Sequence, residues 1–274
     1  DTTAPTIAEV TAVTTPTTDT TPDYTFSSDE AGSITYGGSC SSSTTSATSG
    51  NNTITLVSLS NGTYSDCTII VKDSAGNTSN TLAITSFEVL PSYIAVGTSG
   101  YILSSSDGTS WTSRTSGTSS SLIGVTYGNN KFLTMTGSID NGTTATVLTS
   151  SNGTSWSSSS ATCSTSSCGT TNFTINDVTY GNSIYVAVGT SGYILSSSDG
   201  TSWTSRTSGT SSSLIGVTYG NNKFLTMTGS IDNGTTATVL TSSNGTSWSS
   251  SSATCSTSSC GTTNFTINDV TYAE

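Results

Sequence analysis

Apolar residues along this chain come in short runs rich in Val, Ile, Tyr, Phe and Thr, and the runs are cut by Gly, Asn, Asp and Ser. That pattern predicts many strands joined by turns, because β-branched and aromatic side chains suit a pleated sheet while the interrupting residues suit reversals of the chain. Long helices are not expected, since Leu, Glu, Lys, Ala and Gln are scarce. From Leu122 the order is LIGVTYGN (Leu122 to Asn129), KFLTMTG (Lys131 to Gly137), TTATVLTSS (Thr143 to Ser151), an Asn-Gly turn and TSWSSSS (Thr154 to Ser160). The next stretch follows the same scheme with FTINDVTYGN (Phe173 to Asn182), SIYVAVG (Ser183 to Gly189), YILSSS (Tyr193 to Ser198), an Asp-Gly turn and TSWTSRT (Thr201 to Thr207). The first two strands of each group are continuously apolar, as expected of strands buried between neighbours, and the last is polar, which suits an outer edge.

Residues 95 to 180 are identical to residues 187 to 272, a period of 92. Any site in one copy is therefore present in the other. Trp111, Trp156, Trp203 and Trp248 are spaced 45, 47 and 45 apart, so the underlying module is about 46 residues long. Four strands per module predict propeller blades, and residues 91–274 are expected to form a propeller of four such blades. The repeat region opens on a second strand, SYIAVG (Ser92 to Gly97), and finishes on a lone first strand, NFTINDVTY (Asn264 to Tyr272). Pairing the two within one chain would close a ring and remove free edges; the same strand could instead complete a blade in a neighbouring chain.

Residues 1–90 differ in character, with runs such as TIAEVTAV, DYTFSSDE, NTITLVSL and TYSDCTIIVKD that suggest a sandwich of six or seven short strands. GTYSDCTIIVKDSAGN (Gly62 to Asn77), with the opening DTTAPT, resembles the bacterial immunoglobulin-like modules strung along secreted and surface proteins. It departs from antibody-type domains in having no Trp before Trp111 and in placing Tyr64 three residues before Cys67. The expected fold class is all-β: an immunoglobulin-like β-sandwich followed by a four-bladed β-propeller.

Four boxes stand out in the repeats. SSSDGTSW contains Asp107, Gly108 and Trp111, and again Asp199, Gly200 and Trp203; TSSNGTSW contains Asn152, Gly153 and Trp156, and again Asn244, Gly245 and Trp248. They resemble the Asp-box, or bacterial neuraminidase repeat, of sialidases and many non-enzymatic propellers, in a shortened form where Gly follows Asp directly. Asp-Gly and Asn-Gly favour a two-residue hairpin turn, the Ser and Asp oxygens can accept backbone N–H bonds, and the Trp can fold over the turn. Asn replaces Asp in two of the four boxes, an exchange a general acid or nucleophile would not survive. The boxes therefore read as structural turns.

Sialidase activity does not carry over with the resemblance. That family grips the substrate carboxylate with three arginines, whereas this chain has only Arg114 and its copy Arg206. Both are expected on a solvated outer strand, with contact to a glycan carboxylate as the alternative. No catalytic residues are assigned, and the chain is expected not to be an enzyme.

With 16 acidic residues against 5 Lys plus Arg, a net charge of -11 disfavours nucleic acid and anionic membranes as partners. No apolar run approaches the roughly 18 residues of a spanning helix. The chain starts at Asp1 without Met or a signal sequence and reads as a mature or excised segment. Six cysteines without any His point to disulfides and an extracellular or cell-surface setting. Cys163 with Cys168, and Cys255 with Cys260, are expected to close CSTSSC loops, and Cys40 to pair with Cys67; cross-links between chains are the alternative. Asp140, Asp177, Asp232 and Asp269 are expected in turns or as solubilising charges. No cofactor is expected, although calcium at Asp1 or Asp73 would suit oxygen ligands. Asn152-Gly-Thr and Asn233-Gly-Thr match the glycosylation pattern, but the turn demands the same residues. The extreme Ser and Thr content, 119 residues, and the exact duplication suggest a structural or adhesive protein that self-associates into a filament. A glycan-binding propeller is the alternative.

Overall fold

A computed structural model describes residues 1–139, 144–163, 172–231, 236–254 and 265–273, and these fold almost entirely as strands and turns. The chain divides into two compact units, Asp1–Tyr93 with Ser104–Trp111, and Ile94–Leu103 with Thr112–Glu274.

In the first unit the strands are β1 (Ile7–Thr11), β2 (Asp23–Ser28), β3 (Gly32–Gly37), β4 (Ser46–Ala47), β5 (Gly50–Thr55), β6 (Gly62–Tyr64), β7 (Thr68–Lys72), β8 (Leu82–Ala83) and β9 (Phe87–Val89). They pair antiparallel as β1-β2-β5, as β4-β3-β7-β8 and as the ribbon β6-β9. Alternation fixes the faces: along β2, Tyr24 and Phe26 point inward between more exposed neighbours, and along β7 Ile69 and Val71 do the same. These side chains, with Ile54, Leu56, Phe87 and Val89, form one core. Cys40 and Cys67 are buried in it and joined as a disulfide, closing a loop with a sequence separation of 27.

The described residues of the repeat region form three complete antiparallel four-stranded meanders. The first is β13 (Leu122–Gly128), β14 (Lys131–Thr136), β16 (Thr144–Ser150) and β17 (Ser157–Cys163). The second is β18 (Phe173–Gly181), β19 (Ile184–Gly189), β20 (Ile194–Ser197) and β21 (Ser202–Arg206). The third is β22 (Leu214–Gly220), β23 (Lys223–Thr228), β25 (Thr236–Ser242) and β26 (Ser249–Thr254). Ahead of them β10 (Tyr93–Val96), β11 (Ile102–Ser105) and β12 (Thr112–Arg114) form a sheet of three. Two short ladders complete the set: β15 (Ser138–Ile139) on β18, and β24 (Ser230–Ile231) on β27 (Phe265–Thr266). Outer strands β17 and β21 pair in parallel through Thr162↔Ser202 and Cys163↔Trp203, which links the first two meanders in one sheet.

Successive meanders with their first strands side by side are a propeller-type arrangement. The first strands β13, β18 and β22 approach closely because Gly128 and Gly181 each lie under the ring of a Tyr from the following strand, Tyr180 and Tyr219. Gly220 lies in the same way under Tyr272. A Cβ at any of these glycines would run into the ring. First and second strands are joined by tight hairpins at Asn129-Asn130, Asn182-Ser183 and Asn221-Asn222, where both residues take positive φ. Two positive φ values define the type I′ turn, whose twist matches that of the flanking strands.

The expected completion of the first blade by the last strand is not seen among the described residues. β27 pairs with β24, as β15 pairs with β18, and β10 stays at the edge of its three-stranded sheet. Beyond β27 the chain is held against β22, with the Tyr272 N–H donating to Thr218 Oγ1 at 3.2 Å.

Candidate functional site

In the Asp107 box, Asp107 Oδ1 accepts the N–H groups of Thr109 and Ser110 at 2.8 and 2.7 Å, and Ser105 Oγ accepts the Gly108 N–H at 2.8 Å. Trp111 Nε1 donates to the Gly108 carbonyl at 3.1 Å. The Asp199 box repeats this set through Thr201, Ser202, Ser197 and Trp203. Asn152 Oδ1 accepts from Thr154 and Ser155 at 3.0 and 2.9 Å, and Asn244 Oδ1 accepts from Thr246 and Ser247 at 2.9 Å each. Trp156 and Trp248 donate to Gly153 and Gly245 in the same way. An amide oxygen thus does what the carboxylate oxygen does.

These loops are not the two-residue hairpins expected of Asp-Gly and Asn-Gly. They span residues 106–111, 151–156, 198–201 and 243–248, and only the glycines, with φ between 67 and 82, enter the left-handed region. The reason is local. The box oxygen collects N–H groups on its C-terminal side and widens the turn, while the I′ hairpins fall at the Asn-Asn and Asn-Ser pairs instead.

The bonds also set the charge state. Backbone N–H donors from Ser110 and Thr109 hold the Asp107 carboxyl well below its ordinary value. For Asp199 burial pushes upward, but the donors of Ser202 and Thr201 outweigh it and the net shift is downward. Both are held as anions with Oδ1 committed to its own loop, the opposite of a proton-transfer group.

Asp177 behaves differently from the expected turn or solubilising charge. It is half-buried and bridges two meanders, with Oδ1 accepting the Val178 N–H at 2.8 Å and Oδ2 the Val217 N–H at 2.9 Å. Asn176 Nδ2 supports the bridge by donating to the Leu214 carbonyl at 2.7 Å. Burial pushes the Asp177 carboxyl up to about 6, partly offset by these two N–H bonds and reinforced by Asp269. Nothing in the repeated INDV marks this role, which depends on β18 lying beside β22. Asp269, its copy, is exposed and accepts the Val270 N–H at 2.7 Å, with no bond across to another meander among the described residues. Asp140 and Asp232 lie outside the described residues.

Arg114 and Arg206 lie at the ends of β12 and β21, where each lines open polar grooves. One groove of about 510 Å³ runs past Arg114, Ser116, Thr154 and Trp156, and its twin of about 510 Å³ past Arg206, Ser208, Thr246 and Trp248. A second pair of grooves joins Arg114 to Tyr101 and Arg206 to Tyr193. The Arg206 guanidinium is oriented by its Nε donating to Ser196 Oγ at 2.7 Å. The grooves offer hydroxyls, a cation and the edge of an indole, which suits a hydroxyl-rich ligand.

Cys163 is disulfide-bonded; Cys168, Cys255 and Cys260 lie outside the described residues, as does Asn233. In the first unit carboxylate oxygens of Asp1, Glu30 and Asp73 lie within 4.8 Å of one another. Glu30 was not foreseen, being distant in sequence from both. The set has the hard-oxygen chemistry calcium prefers, but both Asp73 oxygens already accept bonds from Asn77, which accounts for their position without an ion.

No protein-family profile matches the sequence, and no curated protein matches it. Among solved structures, "YCF48 bound to D1 peptide" is similar over 60% of this chain and 50% of that one, with 15% identity and a TM-score of 0.42. YCF48 from Cyanidioschyzon merolae matches 60% of this chain and 52% of its own, at 19% identity and a TM-score of 0.41. A phage phi92 endosialidase matches 87% of this chain and 39% of its own, at 11% identity and a TM-score of 0.34. The chain thus spans about half the length of the first two.

Proposed function

We propose that this is a non-enzymatic extracellular protein, structural or adhesive, in which an immunoglobulin-like module precedes an Asp-box propeller of four blades, and that the propeller carries self-association. The observation that supports this most is the commitment of all four box oxygens to their own loops, with Asn and Asp equivalent. The residues that look most catalytic in the sequence are occupied in holding turns. The immunoglobulin-like assignment draws on Tyr64, whose hydroxyl donates to the Ser60 carbonyl at 2.8 Å and whose ring stacks on Phe87, in the manner of a tyrosine corner. Electron microscopy of the purified chain, without reducing agent, tests the reading. Regular fibres or arrays are expected, and discrete monomers at high concentration would overturn it.

The twin Arg and Trp grooves favour a second reading, a lectin-like propeller that gains avidity from identical sites. It predicts saturable binding on a glycan array that is lost when Trp156 and Trp248 are both changed to Ala. Binding unchanged by that double substitution would remove these grooves from consideration.

A further inference from the structure

Among the described residues, the sheet β10-β11-β12 lacks the first strand of a complete meander, and a segment near the C-terminus has the sequence of such a strand. In the complete blade, Tyr185, Val186, Ala187 and Val188 of β19 are all 0% exposed. β18 pairs along them in the register Asp177↔Val188, Val178↔Ala187, Thr179↔Val186 and Tyr180↔Tyr185, and the meanders on either side pack their two faces. The corresponding residues of β10 are Tyr93, Ile94, Ala95 and Val96, nearly the same sequence. There Tyr93 is 52% exposed, the other three are only half-buried, and the strand sits at the sheet edge. β11 flanks β10 as β20 flanks β19, but among the described residues β10 lacks both a first strand on its other edge and a meander on its second face, since Ile94 and Val96 pack only beside Ile102, Leu122 and Leu148.

Residues 267–272, INDVTY, are identical to residues 175–180 of β18, which fill that edge in the complete blade. In this chain they lie outside any ladder, and Tyr272 is 46% exposed. Their own chain already holds them against β22 through the Gly220 and Tyr272 contact, so they continue the row β13, β18, β22 as its last member. Tyr127 on β13, at one end of the row, is 45% exposed, and Tyr272, at the other, is equally open, whereas Tyr180 and Tyr219 between them are half-buried.

We propose that a second copy of this chain supplies the missing strand: residues 267–272 of one copy add antiparallel to β10 of the next, in the register Asp269↔Val96, Val270↔Ala95 and Thr271↔Ile94 that the complete blade uses. Main-chain hydrogen bonds give the affinity, and covering Ile94, Ala95 and Val96 adds apolar burial, as in other cases of strand addition to a sheet edge. Donor and acceptor are different surfaces, so the contact is heterologous and propagates from copy to copy. The joint differs from the internal contact in having Ile94 for Val186 and Ala273 for Gly181. Ala273 stands where Gly181 lies under the Tyr219 ring, so the following Tyr packs less closely here than within the chain. The proposal rests on the self-association reading and names its contact.

The test is the full chain carrying Ala95→Cys and Val270→Cys, oxidised and run on a non-reducing gel. A ladder of covalent multimers is expected, abolished by either single variant. A fast-migrating monomer with the two cysteines joined would overturn the proposal in favour of ring closure within one chain, and no cross-link at all would overturn it as well. Thr271→Pro gives an independent readout, since it removes one ladder N–H from an exposed segment outside the core. It should raise the concentration needed for assembly about tenfold, the effect of losing one well-placed contact. Fibres that persist unchanged with Thr271→Pro and without the cross-link would sink this contact while leaving self-association standing.

Discussion

Trp111 and Trp203 are the same residue of the same box in two copies of one sequence, yet Trp111 is 42% exposed and Trp203 is 4% exposed. Their turns are alike: each indole donates to its own Gly carbonyl at 3.1 Å, and each box Asp accepts two backbone N–H groups. What differs is the neighbour. Trp203 sits in the parallel pair between β21 and β17, opposite Cys163, and joins the core formed by Leu133, Val147 and Tyr185. No outer strand pairs with β12 at Trp111 among the described residues. The box is thus a local device that forms wherever its residues occur, and the burial of its Trp is a property of the blade around it.

The widest separation between the two copies should come from removing the indoles. Trp203→Ala is expected to cost about 3–5 kcal/mol, as for a large aromatic taken out of a packed core, while Trp111→Ala should cost about 1 kcal/mol, having less apolar area to lose. Urea unfolding of the two variants measures both. Equal losses would show that Trp111 is buried in solution, and would erase the distinction between complete and incomplete blades.

A second contrast pairs Asp177 with Asp269. The Asp177 carboxyl is raised to about 6 from 3.8 by burial, so its ionisation is disfavoured in the folded state. Its contribution is therefore full below about pH 4 and is lost as the pH rises through about 6. The two-unit rise corresponds to about 2 kcal/mol once its partial exposure is allowed for. Asp177→Asn should flatten that slope in the melting temperature of the repeat region between pH 4 and 6. Asp269→Asn in the exposed copy should weaken the slope only slightly, since the Asp269 charge is the smallest contributor to the rise. A slope that survives Asp177→Asn would assign it to another group.

How much of this was legible beforehand follows the same division between local and contextual. The strands from Leu122 to Ser160 fall close to where alternation and the apolar runs put them, because their period is carried by neighbours in sequence. The Cys40–Cys67 disulfide follows from the even cysteine count once Cys163, Cys168, Cys255 and Cys260 are assigned to their own loops. The bridging role of Asp177 was not, since nothing in INDV distinguishes a carboxylate that reaches Val217 from one that faces water. The length of the box loops was missed for a related reason: Asp-Gly has a strong hairpin preference, and the side-chain oxygen overrides it by capturing N–H groups further along. Strand exposure at β10 was unreadable too, because its sequence is almost that of the buried β19.

The smallest expected effect separates charge from geometry within the boxes. Asp199→Asn should change stability near pH 7 by no more than about 0.5 kcal/mol, because Asn152 and Asn244 already make the same two N–H bonds. Asp199→Ala removes the acceptor and should cost about 1 kcal/mol. The pH dependence has the opposite sign to that of Asp177: the Asp199 carboxyl lies below its usual 3.8, so its stabilisation is present above pH 4 and is lost as the pH falls further. Asp199→Asn should therefore reduce acid sensitivity while leaving neutral stability alone, and thermal melts at pH 3 and pH 7 read both together. If Asn proved as damaging as Ala at neutral pH, the charge itself would be required, and the equivalence of the Asp and Asn boxes on which the scaffold reading leans would fail.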